Sequence, residues 1–134
     1  MTDAVHPNMS ILKKLDLRNL DTCKSVIADD FVWHYFNPNL PELEGDYRGV
    51  EGLKDFLRRL GERSNGSFKV KVVDGRAVGN ELVVTQVRNR MDLDDTSIEF
   101  DAVVVWRIVS GKIAEGWDIP AVNTIQTVQK SYSS

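Results

Sequence analysis

The stretch GKIAEGWDIPAV, residues 111–122, sets one carboxylate, Asp118, between Trp117 and Ile119. A carboxylate among large apolar residues is costly to bury without a partner. Buried in a pocket, it keeps its proton to a higher pH and can serve as a general base. Asn89, in ELVVTQVRNRM at 81–91, is a second polar group in apolar company. Buried, it needs a partner: substrate, Asp118, Tyr35 or an ordered water. Tyr35 and Asn37 stand two apart in FVWHYFN, so both fall on one face of an extended strand. His34 lies between them on the opposite face, where a structural or interfacial role suits it, and it is the one imidazole placed to shuttle a proton. His6 is expected in a mobile terminus. Two histidines this far apart and a single cysteine, Cys23, provide no metal-ligand cluster and no internal disulfide. No metal and no other cofactor is expected.

The elements that must position these groups can be read from periodicity. Residues 50–60, VEGLKDFLRRL, form the clearest helix, with Val50, Leu53, Phe56, Leu57 and Leu60 on one face. Residues 9–17 and the TCKSVIADD stretch behind Asp21 read as two shorter helices. FVWHYF at 31–36 reads as a strand, and NPNLPELEGDYRG as a loop. Four strand-like stretches follow, from Phe68, Glu81, Ser97 and Lys112, separated by GN, LDDTS and SGK turns. Short turns between long strands imply an antiparallel meander. The order of helices, strand, helix and four strands is α+β, with helices packed on one face of a curved antiparallel sheet.

Alternation assigns faces. In 82–91, Val83, Thr85, Val87, Asn89 and Met91 form the inner set, because Arg88 and Arg90 belong in water. In 98–108 the inner set is Ile98, Phe100, Ala102, Val104, Trp106 and Ile108. The opposite face carries Val103 and Val105 at its centre, which a second copy of the chain would cover. In the last strand, alternation alone places Trp117 inside and Asp118 in water.

Composition limits the function. A chain of 134 residues suits one domain, 1–134, with a core at about 10–122 and a C-terminal tail at 123–134. A net charge of −3 and a pI of about 5.4 argue against a nucleic-acid partner. No stretch has the length and apolarity of a membrane span or signal peptide, so a cytoplasmic, soluble protein is expected.

The segments IADDFVW, DYRGVEGLKDFL and VVVWRIVSGKIAEGWDI resemble, in order and spacing over residues 10–122, the SnoaL-like polyketide cyclase branch of the nuclear transport factor two-like superfamily. The resemblance implies a cone-shaped, strongly curved antiparallel sheet packed on N-terminal helices, a cystatin-like α+β roll around a pocket for a small apolar molecule. Val103 and Val105 on the outer sheet face make a homodimer the expected assembly. The resemblance turns Asp118 into the cone, against the alternation; a bulge near Gly116 would reconcile the two. By position, Asp118 matches the base of the cyclases and a water-holding carboxylate of the epoxide hydrolases. Tyr35 and Asn37 match the pair that helps hold the hydrolytic water. The implied catalytic residues are therefore Asp118, Tyr35 and Asn37. The implied ligand-binding residues are Asn89, Trp33, Val87, Val104, Trp106 and Phe56.

Other family machinery is missing. Val87 and Asn89 stand where the epoxide hydrolases carry an arginine and an aspartate, and Arg90 and Asp92 would serve only after a register shift. Tyr35 replaces the base aspartate of the ketosteroid isomerases. Val104 or Ala102 stands where a proton-donating aspartate or a cyclase histidine would be. The resemblance thus implies an isomerase, cyclase or lyase with Asp118 as base on a polyketide- or steroid-like carbonyl compound. A non-catalytic ligand-binding or sensing domain is the alternative, and epoxide hydrolysis the third.

Overall fold

The computed structural model describes residues 6–128. Its elements are α1 (Pro7–Leu12), β1 (Ile27–Tyr35), β2 (Gly45–Arg48), α2 (Gly49–Arg63), β3 (Lys69–Val78), β4 (Leu82–Leu93), β5 (Thr96–Val109), β6 (Lys112–Pro120) and β7 (Gln126–Val128). Six strands run in the order β2-β1-β6-β5-β4-β3, and β7 pairs with β5 near its start. The architecture is α+β with a large, curved, unclosed sheet, as the sequence predicts.

The long meander forms because each strand alternates and each turn is short. Val83, Val87, Met91, Phe100, Ala102, Trp106 and Ile108 are all buried on the concave face. Ser110 and Gly111 both have positive φ, at 52° and 78°, which gives the tight turn into β6 the twist that a two-residue hairpin needs. Helix α2 covers the concave side of β1 and β2 with Leu53, Phe56 and Leu60. Glu51 in its first turn and Arg63 in its last complement the helix dipole.

Six local readings need correction. The TCKSVIADD stretch is two single 3-10 turns, Leu20–Thr22 and Lys24–Val26, and its end is the first part of β1. Its few apolar positions pack Cys23, Val26 and Ile27 against the sheet, and no longer helical stripe holds it as a helix. The first helix ends at Leu12, and His6 is not loose: its Nδ1 accepts from the Asn8 N–H and caps α1. Part of the 37–49 loop is β2, whose Tyr47 pairs with Trp33. The sheet is antiparallel except between β1 and β6, which run parallel, and residues 126–128 of the expected tail form β7.

Candidate functional site

Between α2, the segment after α1 and the concave face lies a cavity of about 190 Å³. Leu12, Leu15, Leu53, Leu57, Phe68 and Val87 supply much of its apolar wall. Asp118, Asn89, Thr85 and two indoles supply its polar atoms. Asp118 is the one charged residue among the lining residues. The wall opens beside edge strand β3, where Val70 and Val72 reach the cavity yet remain 48% and 63% exposed. Leu17, 40% exposed, stands on the other rim.

Asp118 faces the cavity because β6 slips its alternation once. Arg107 pairs with Glu115, but the next β5 residue, Ile108, pairs with Ile113. One extra residue, Ala114, is thus accommodated in β6. Before the slip Ile113 points inward and is fully buried. After it, Glu115 and Trp117 point outward, while Gly116 and Asp118 point inward. This reverses the faces that simple alternation assigns to Trp117 and Asp118. The slip lies at Ala114, two residues before the position expected at Gly116. The outward Trp117 ring stacks on His34 with centroids 5.3 Å apart.

Gly116 has a different use. A Cβ there would lie 2.7 Å from Trp33 Cε3 and 3.2 Å from Trp106 Cε3. The absent side chain lets both indoles close over the strand, with their centroids 5.3 Å apart. They form the cavity floor next to Asp118. Val104, the Cα partner of Asp118 on β5, forms the adjoining wall.

The Asp118 carboxylate has no hydrogen-bond or ion-pair partner among the described residues. Removal from water raises its pKa to about 7, because nothing nearby compensates the lost hydration of the anion. Thr85 is already engaged: its hydroxyl donates to the Val104 carbonyl at 3.1 Å and accepts from Trp106 Nε1 at 3.4 Å. Trp33 Nε1 and Asn89 Oδ1 are buried and have no partner.

The structure thus brings Asp118, Asn89, Trp33, Val87, Val104, Trp106 and Phe56 to one cavity wall. It does not bring Tyr35 and Asn37 there. Tyr35 is the Cα partner of Asp118, but its ring packs on Phe56, with centroids 4.7 Å apart, and its hydroxyl accepts from Asn37 Nδ2 at 3.1 Å. Burial raises the Tyr35 pKa far above its ordinary value, so it stays protonated. Asn37 also accepts the Asn39 N–H, a turn-forming bond of the kind that suits the residue before Pro38. Both are structural in this geometry.

Arg90 and Asp92 lie outside the cavity. Arg90 pairs with Glu99 at 3.3 Å, and Asp92 accepts from the Ser97 hydroxyl. Neither can protonate a leaving oxygen in the cavity, which removes the rearranged epoxide-hydrolase arrangement. His34 is on the convex face. It sits 2.7 Å from Asp46 and 2.6 Å from Glu115. Desolvation alone would lower its pKa, but the two carboxylates outweigh that and raise it. Among the described residues no group of His, Cys, Asp and Glu side chains is placed to hold a metal ion, and no helix is long and apolar enough to cross a membrane.

Sequence reading did not single out Leu12, Leu15, Leu17, Phe68, Val70 and Val72 as lining. The β3 pair was invisible because β3 is an edge strand exposed on both faces, so its alternation carries no contrast.

With that geometry in hand, the likenesses are informative. The family model for the SnoaL-like domain matches residues 12–116. A comparison with curated proteins returns no match. Three solved structures share the fold. The structure of Bal32a from a soil-derived mobile gene cassette has a TM-score of 0.76 at 16% identity, covering 86% of this chain and 89% of that one. TerC, co-crystallized with polyporic acid, has 0.72 at 20%, covering 87% and 93%. An LEH-like epoxide hydrolase of M. tuberculosis has 0.59 at 24%, covering 88% and 82%.

Proposed function

The chain belongs to the SnoaL-like domain family, and from that premise we propose that it binds a small apolar carbonyl compound and that Asp118 removes a proton from the carbon next to the carbonyl. The observation that carries this reading is an unpartnered carboxylate, with a pKa raised to about 7, as the one charged group in a largely apolar cavity. A general base works best when its pKa lies near the operating pH. The carbon–hydrogen bond breaks, its electrons form the enolate, and the proton rests on Asp118. Return of that proton to a different carbon of a conjugated enolate completes an isomerisation; attack of the enolate carbon on a second carbonyl of the same molecule, with the proton passing from Asp118 to the alkoxide so formed, completes a cyclisation.

Cavity size limits the compound. An engineered cavity of about 150 Å³ holds benzene, so about 190 Å³ holds one substituted ring. A steroid-sized ligand would have to run out past Leu17, Val70 and Val72. TerC, which shares this fold, was co-crystallized with polyporic acid, which supports a small-molecule ligand. A homodimer through the convex face around Val103 and Val105, in the cytoplasm, belongs to the same reading, and light scattering should give twice the chain mass.

The test is deuterium exchange into the methyl group of 4′-hydroxyacetophenone in D2O, followed by NMR. The protein should accelerate exchange above the buffer rate, and Asp118→Asn should abolish the acceleration. An Asp118→Asn variant as active as the natural protein would defeat the proposal. A binding-only protein, the alternative reading, would hold the ketone without exchange.

A further inference from the structure

The sheet leaves one long edge open. β3 ends the strand order and pairs only with β4, and no other backbone group among the described residues bonds to it. The opposite edge, β2, is only four residues long and runs straight into α2. An edge strand turns about half of its N–H and C=O groups outward, where another extended chain can pair with them. A register shift between Val72 and Asp74 divides β3. Beyond that shift Met9 of α1 covers the strand, 3.3 Å from the place a Cβ on Gly75 would take. The regular part of the open edge is therefore residues 69–72, all of them exposed.

The two faces of this short stretch differ in chemistry. Val70 and Val72 pair with Asn89 and Val87 on the concave side and line the cavity, yet stay 48% and 63% exposed. The cavity wall is incomplete at this edge. On the convex side Lys69 lies opposite Arg90, and Lys71 lies opposite Arg88. These four cations line a hollow in the sheet face. Like charges directly opposite one another destabilise a sheet. Glu99 and Asp101 on β5 hold the two arginines, but Lys69 and Lys71 have no carboxylate partner among the described residues. Alternate residues of one open strand therefore call for an anion and for apolar cover.

We propose that β3 takes an added strand from a partner protein, an extended segment in which carboxylates alternate with apolar side chains. Residues directly opposite in a sheet share a face. The carboxylates of the segment stand against Lys69 and Lys71. Its apolar side chains cover Val70 and Val72 and complete the cavity wall. Main-chain hydrogen bonds hold the segment, and the alternation of its side chains selects it. A second copy of this chain does not meet the same demand. Antiparallel pairing of two such edges, centred on residues 69–72, sets lysine against lysine, and edge lysines are a means by which sheets avoid joining their own kind. Because the rim it covers is the open one, the partner also controls entry to the cavity.

The probe is a fluorescein-labelled heptapeptide of alternating glutamate and valine, with glutamate at both ends, followed by anisotropy beside a counterpart that carries lysine for glutamate. The acidic peptide should bind about tenfold more tightly, since opposite charges replace like charges across the new pair of strands. The double variant Lys69→Glu, Lys71→Glu should reverse that preference. Its new carboxylates face Arg90 and Arg88, so the exchange relieves repulsion in the fold instead of adding it. An added strand bonds through alternate residues. Methylating every second backbone nitrogen of the acidic peptide should therefore weaken binding about tenfold or more in one frame and spare it in the other. In the natural protein the peptide should slow hydrogen exchange of amides within residues 69–72. Equal binding of the two peptides, no binding of the acidic one at millimolar concentration, binding spared in both methylated frames, or exchange unchanged by the peptide would each overturn the proposal. So would slowed exchange at residues 69–72 in the protein alone, because that would put a second copy on the edge.

Discussion

Replacing Asp118 by Asn removes one titratable group from the cavity, and the pH dependence of stability reports what that group was doing. In the unfolded chain an aspartate loses its proton near pH 4; in the folded chain burial holds it to about pH 7. Between those values the native state carries a proton that the unfolded state has lost. Stability of the natural protein therefore falls as pH rises from about 4 to about 7, then levels off. At about 1.36 kcal/mol per pH unit the full effect is about 4 kcal/mol. Water entering the open rim screens part of it, so a loss of about 2–4 kcal/mol is expected. Asn cannot titrate, and any packing cost of the amide is the same at every pH. The stability of Asp118→Asn relative to the natural protein should therefore improve by about 2–4 kcal/mol between pH 4.5 and pH 8. For a chain of this length that is a relative gain of about 6–12 °C in Tm. Urea denaturation at the two pH values measures it. A difference between the proteins that does not change with pH would refute the reasoning, because it would mean the folded carboxyl titrates where the unfolded one does.

Two further perturbations test the frame around the site. Gly116→Ala puts a methyl 2.7 Å from the Trp33 ring and should cost about 1–3 kcal/mol by forcing the indoles apart; an unchanged urea midpoint would show that the floor is not packed this way. His34→Gln removes an imidazolium held between Asp46 and Glu115. A folded pKa above the unfolded one means that the stabilisation is full below about pH 6.5 and fades as pH rises through the folded value. The variant should therefore lose more stability at pH 6 than at pH 9, and the reverse order would contradict the assignment.

The α+β class, the helix at Gly49–Arg63 and the inner faces of β4 and β5 could be read from sequence because each carries strong contrast between apolar and polar positions. β2 could not, since its four residues contain one buried side chain, Tyr47. The direction of Asp118 was legible only through likeness to a family. A single accommodated residue, Ala114, reverses every side chain after it, and a period-two pattern has no mark for that. Tyr35 and Asn37 show the opposite limit. Their spacing matches a catalytic pair, yet a mutual hydrogen bond and Phe56 turn them into structure. The two unpartnered atoms carry no sequence signal, because Trp33 and Trp106 differ only in whether Thr85 is within reach.

Asp118 is read here as a neutral-range base aimed into the cavity. The most direct measurement follows the Asp118 carboxyl carbon by NMR from pH 3 to pH 9, assigned by its disappearance in Asp118→Asn. A midpoint near 7, moved by 4′-hydroxyacetophenone, is expected. A midpoint near 4, unmoved by the ketone, would contradict it.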